Sequence, residues 1–154
     1  MKATIFIAGA GGIGQAAALI LSEYNELMDT KIYIGDINQN AINSSISYVK
    51  SGCTKGADIE GVLMAMDGSN EVMDKAFADC DVILDCLPGS QAPRMAKFAL
   101  QHGLHYANLT EYVAETNEIM EIAKDADTAF VLQTGLAPGF INVLACQLYN
   151  SFKN

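Results

Sequence analysis

The chain has 154 residues, 51% of them hydrophobic, with 9 Lys and Arg against 18 Asp and Glu, for a formal net charge of −9. That is material for one domain with a sizeable core, and the acidity argues against nucleic acid and anionic membranes, whose phosphates demand clustered basic side chains. No apolar run approaches the roughly 18 residues of a membrane span. Cys53, Cys80, Cys86 and Cys146 lack CxxC spacing. Lys2 precedes an apolar run, but the glycines from Gly9 onward break any signal-type helix there. The cysteines therefore read as buried, reduced thiols of a cytoplasmic protein.

An apolar strand over residues 3–8 runs into Gly9-Ala10-Gly11-Gly12-Ile13-Gly14, then a helix, then a second strand over residues 31–36. This is a dinucleotide-binding fingerprint in its proper context. Gly9 permits the tight turn, Gly11 lets the backbone approach a pyrophosphate, and Gly14 lets the helix pack close to the sheet. The helix-opening amides lack intrahelical partners, and with the helix dipole they form an anion site that needs no lysine. An acid is expected about 20 residues past the glycines. Asp36 closes the run Ile32-Tyr33-Ile34-Gly35 and can accept both hydroxyls of the adenosine ribose. A 2'-phosphate would meet its charge with no Arg or Lys among Ile37, Asn38, Gln39 and Asn40, which favours NAD over NADP.

The first helix is expected to bury Ile13, Ala16, Ala17, Ile20 and Leu21 and to end before Asp29. Asn38 is placed to cap a second helix through about residue 51, with Ile42, Ile46 and Val49 facing the sheet. Residues 52–60 read as loop and residues 61–66 as a third strand, with Asp67 at its end either contacting adenine or starting the turn Asp67-Gly68-Ser69-Asn70. Ser69 or Asn70 is expected to cap a helix to about residue 78. Residues 82–86 form a central strand in which Asp85 needs a hydrogen-bonding partner. A helix over about 91–102 stops at Gly103, followed by strand 105–109, a helix to about 126, strand 129–133 and a last helix from about Phe140.

Six strands alternating with helices give an α/β, doubly wound parallel sheet of Rossmann type, order 3-2-1-4-5-6, with the ligand at the switch between the first and fourth strands. The expected cofactor contacts are Gly9, Gly11, Gly12, Ile13 and Gly14, then Asp36, Ile37 and Asp67. Across the cleft they are Leu87, Pro88, Gly89, Thr110 and Gly135. Tyr149 and Lys153 share the YxxxK spacing of short-chain dehydrogenases, but lie past the sixth strand without the accompanying serine and carry no expected role. His102 and His105 flank a helix-breaking glycine with no further ligands nearby, so no metal site is expected.

The fingerprint with Ile34-Gly35-Asp36-Ile37-Asn38, the segment Val82-Ile83-Leu84-Asp85-Cys86-Leu87-Pro88-Gly89, His105-Tyr106-Ala107-Asn108-Leu109-Thr110 and Gly135-Leu136-Ala137-Pro138-Gly139 resemble the saccharopine dehydrogenase superfamily. The pattern is nearest to the lysine 6-dehydrogenase type. The resemblance implies an NAD(P)-dependent oxidoreductase acting on the C–N bond of an amino-acid substrate. It also implies a separate α+β domain for substrate and dimer contacts, whereas this chain stops at Asn154. The expectation is a nucleotide-binding domain without that partner, its catalytic residues elsewhere, inactive alone and covering its exposed apolar face as a homodimer. The alternative is a stand-alone regulatory NAD-binding module of the kind that gates potassium transporters, which would not need the NLT and GLAPG elements.

Overall fold

The computed structural model describes residues 2–23 and 29–152. Strands β1 (Lys2–Ala8), β2 (Asp29–Asp36), β3 (Asp58–Leu63), β4 (Val82–Asp85), β5 (His105–Asn108) and β6 (Phe130–Val131) form one sheet in the order β3-β2-β1-β4-β5-β6. Every pairing is parallel. Helices α1 (Gly12–Glu23), α2 (Gln39–Gly52), α3 (Glu71–Ala78), α4 (Ala92–His102), α5 (Val113–Ala123) and α6 (Ile141–Ser151) alternate with the strands. The order reverses at β1, where Ile5 faces Ile32 on one side and Val82 on the other. That reversal is where ligands bind in doubly wound sheets.

β1 holds the centre because it is apolar on both faces, as a strand covered by helices on both sides must be. Phe6, Ala8 and Ile83 pack with Met73, Phe77, Met95 and Ile119 on one side of the sheet, while Ile7, Ile32 and Ile34 pack with Ala18, Ile42 and Val49 on the other. Phe77 anchors the first layer, its ring 4.6 Å from Phe6 and 5.3 Å from Phe98. Helix ends follow the local chemistry: Asn38 Oδ1 accepts from the Asn40 N–H, and Asn70 Oδ1 from those of Val72 and Met73. Gly103 terminates α4 in the left-handed region, at φ +64°.

Five local expectations are corrected. β3 starts at Asp58 rather than Gly61 and ends at Leu63, because Ile59 and Val62 supply its buried positions although charged neighbours mask the pattern. α1 buries Gly14, Ala18 and Ser22 while Ile13 and Ile20 are 62% and 56% exposed. A helix lying close on the sheet needs small residues at the contact, and a Cβ on Gly14 would overlap the Gly9 carbonyl. α5 ends at Ala123, and β6 is two residues long because Gln133, at φ +59°, bends the chain away. Cys53 and Cys80 are buried, Cys86 is half-buried and Cys146 is exposed on α6; all four are free thiols. Lys153 of the YxxxK pair lies outside the described residues.

Candidate functional site

The turn from β1 into α1 is held at a single residue from two directions. Gly9, at φ +105°, takes a conformation that side chains oppose and donates its N–H to the Gly35 carbonyl at 2.7 Å. The Ala10 N–H then donates to Asp36 Oδ2 at 2.9 Å, and the buried Ser45 hydroxyl of α2 donates to the Ala10 carbonyl at 2.8 Å. Asp36 Oδ1 accepts the Asn38 N–H at 2.9 Å. A carboxylate offers about four acceptor positions, so Asp36 retains capacity for two hydroxyls.

Beyond that anchor, the backbone is open. A Cβ on Gly11 or Gly12 would meet nothing within 4 Å. The Gln15 N–H donates to the Gly11 carbonyl at 3.0 Å, so the amides before it have no helical acceptor. An open, positively polarised backbone surface beside a part-exposed carboxylate fits a pyrophosphate with a free ribose diol. Residues 37–40 bring no cation toward the position of a 2'-phosphate.

Across the switch point lies a cleft of ≈ 1060 Å³, walled by Cys86 to Ser90 after β4, Leu109 to Tyr112 and Glu115 after β5, and Thr134 to Leu136 with Phe140 before α6; Ile13 reaches into it from α1. Its lining is mostly apolar, with Glu111 and Glu115 as the charged members. The walls touch closely, since a Cβ on Gly89 would overlap Thr110 and Tyr112, and one on Gly135 would stand 3.0 Å from the Leu109 carbonyl. The Thr110 hydroxyl is buried without a hydrogen-bond partner. Beneath the walls, Asp85 has the partner its sequence position requires: the Tyr106 hydroxyl donates to Oδ2 at 2.8 Å and the Leu87 N–H to Oδ1 at 3.0 Å. Burial raises its carboxyl to about 6 and lifts the Cys86 thiol to about 12.

Leu87, Pro88, Gly89, Thr110, Gly135 and Ile13 thus meet around one cleft, and Gly9, Gly11, Gly12, Gly14 and Asp36 meet at the turn beside it. Ile37 is 55% exposed next to Asp36. Asp67 stands apart: it is exposed four residues beyond β3, and its Oδ1 accepts the N–H of Gly68 as a turn residue does. Sequence reasoning passed over Ser45, Tyr106 and Asn108. It also passed over Arg94, whose guanidinium donates to the carbonyls of Ala65, Met66 and Gly68 and to Gln91 Oε1, fixing the loop after β3. No spacing rule marks a lone Arg on a helix, but the Tyr-x-Asn alternation on β5 places two polar side chains on one sheet face.

Residues 5–132 match the family described as the saccharopine dehydrogenase NADP binding domain. The chain belongs to this family, as a nicotinamide-dinucleotide-binding domain of α/β fold. Among curated relatives it is similar to alpha-aminoadipic semialdehyde synthase of Arabidopsis thaliana, 24% identical over 159 aligned positions, covering 97% of this chain and 15% of that protein. Among solved structures it is similar to apo saccharopine dehydrogenase (L-Glu forming) of Saccharomyces cerevisiae, with a TM-score of 0.71 and 16% identity over 97% of this chain and 31% of that one. Shikimate dehydrogenase of Mycobacterium tuberculosis matches at a TM-score of 0.65 and 16% identity, over 86% of this chain and 46% of that one. These structural likenesses share the fold. The chain spans under half the length of each of these relatives.

Proposed function

We propose that this chain binds NAD across the carboxyl ends of β1 and β4, as the cofactor domain of an oxidoreductase acting on the C–N bond of an amino acid of the lysine or saccharopine class. The observation that carries the cofactor reading is the β1–α1 turn, where open glycines and polarised amides stand beside a carboxylate with spare acceptor capacity. Gly9 and Gly11 to Gly14 would receive the pyrophosphate, and Asp36, with Ile37 against the base, the adenosine end. Leu87, Pro88, Gly89, Thr110 and Gly135 would wall the nicotinamide end. When bound, the nicotinamide supplies a hydride acceptor or donor. The chain's own part is to hold it and keep water away, which the apolar lining of the cleft favours. Although the family's description names NADP, Asp36 and its uncharged neighbours support NAD. Glu111 and Glu115 in the cleft suit a substrate carrying an ammonium group.

As partner we propose a second copy of the chain, meeting through α6. No residue of α6 is buried, and Ile141, Leu144 and Leu148 lie 44%, 38% and 51% exposed along one stripe. Residues 128–152 contain no Asp, Glu, Lys, Arg or His, so this is where two chains of charge −9 approach with least repulsion.

Fluorescence titration with NADH and NADPH tests the cofactor reading: NADH is expected to bind more tightly. A preference for NADPH would remove the argument from Asp36, and binding of neither would sink the reading altogether. NADH formation with lysine, saccharopine and other amino acids tests the substrate class.

A further inference from the structure

Asp85 is 2% exposed, the one carboxylate among the buried polar side chains of the described residues. Among those residues no Lys, Arg or His forms an ion pair with it. A buried charge without a counter-charge costs stability, and apolar residues of similar size would pack there with less penalty. What the carboxylate secures is geometry. Its Oδ1 fixes the Leu87 N–H at 3.0 Å, the first residues of the cleft wall after β4.

Its neighbour in the ladder does the same for the opposite wall. Asn108 pairs with Asp85 across β4 and β5 and is 1% exposed. Its Oδ1 accepts the Gln133 N–H at 3.0 Å, and its main-chain carbonyl accepts from the Thr134 N–H and hydroxyl at 3.0 and 2.7 Å. Gln133 sits at φ +59°, a conformation that opposes a side chain, and this bond helps retain it. Tyr106, 1% exposed on the same strand face as Asn108 and two residues before it, donates to Asp85 Oδ2 at 2.8 Å. None of the three lines the cleft itself.

We propose that Asp85, Tyr106 and Asn108 act as one positioning unit, holding the loops after β4 and β6 at the separation that the nicotinamide half of NAD requires. The proposal rests on the cleft being a dinucleotide site. Asp85 and Tyr106 have two satisfied protonation states. Ionised Asp85 accepts from Leu87 and Tyr106; protonated, it donates to the Tyr106 oxygen while Tyr106 turns its proton to the Ala92 carbonyl 3.2 Å away, at the start of α4. The ionisable groups facing Asp85 are Tyr106 from β5 and the adjacent Cys86 thiol. α4 presents the Ala92 carbonyl to the Tyr106 hydroxyl. Protonation leaves the Leu87 N–H with a neutral and weaker acceptor, so this wall loosens in acid.

NADH and ADP-ribose, which lacks the nicotinamide, separate this effect from the rest of the site. Both are titrated from pH 5 to 8 against the wild-type protein, Asp85→Asn and Tyr106→Phe, with thermal melts confirming that each variant folds. Wild-type affinity for NADH should fall roughly three- to tenfold as pH drops through about 6, while ADP-ribose changes little. Asp85→Asn, isosteric and always neutral, should remove that dependence and bind NADH at the wild type's acid level. Tyr106→Phe removes a donor to the ionised form, so the midpoint should move to higher pH. If the two ligands change in parallel, or if wild type and Asp85→Asn behave alike, the positioning unit is overturned while the dinucleotide site stands. If wild type fails to bind ADP-ribose, the dinucleotide reading falls and this inference falls with it.

Discussion

Asp36 and Asp85 close the two strands that flank β1, yet their surroundings set them to different work. Asp36 is part-exposed and takes two backbone N–H groups, which leaves acceptor positions available to a ligand. Asp36→Ala is expected to weaken NADH binding by about 1–3 kcal/mol by isothermal titration, and NADPH by less. Some loss is common to both cofactors, because Ala10 loses its anchor. Equal losses would mean that the carboxylate serves the loop alone. Asp85 is buried, and its carboxyl is raised from 3.8 to about 6 chiefly by desolvation. A folded-state pKa raised above the unfolded value gives stability that is present below the unfolded pKa and lost as pH rises through the folded one. Asp85→Asn should therefore match wild type near pH 3.5 and become the more stable protein above pH 6, by on the order of 3 kcal/mol. Denaturant melts at several pH values check this; a gap that is constant with pH would show that the carboxyl titrates alike in the folded and unfolded chain.

At the scale of an element, the β1–α1 turn shows why identical residues have unlike roles. A side chain on Gly11 meets empty space, so Gly11→Val should fold with wild-type stability and lose dinucleotide binding in the same titration. A side chain on Gly14 overlaps the Gly9 carbonyl, so Gly14→Ala should cost about 1–3 kcal/mol in a denaturant melt. Retained NADH affinity in Gly11→Val would place the ligand elsewhere. This turn was legible in the sequence because its requirements are local, and so were the caps at Asn38 and Asn70 and the stop at Gly103. β3 was misplaced by three residues because its two buried positions, Ile59 and Val62, lie three apart on opposite faces of the sheet, so neither an alternation nor an apolar run marks it. The buried face of α1 was hidden for a different reason. Close packing on a sheet selects glycine, alanine and serine there, and hydrophobic periodicity does not weigh them. The site's buried supports, Ser45, Tyr106 and Asn108, bond to residues at least 14 positions away, and no linear pattern encodes such contacts.

For the whole molecule, the strand order alone placed the cleft, since a reversal at β1 leaves a crevice between the loops after β1 and β4. α6 is the part that the sheet does not use. Sedimentation is expected to show a dimer, and Leu144→Glu with Leu148→Glu should convert it to a monomer with the fold intact; a wild-type monomer would dismiss the pairing. The neutrality of residues 128–152 also fixes how such a dimer answers its solvent. A contact built on ion pairs weakens as electrolyte is added, whereas here salt screens the repulsion between two acidic bodies and leaves an uncharged seam untouched. Raising ionic strength should draw the copies together, and dilution into low-salt buffer should part them.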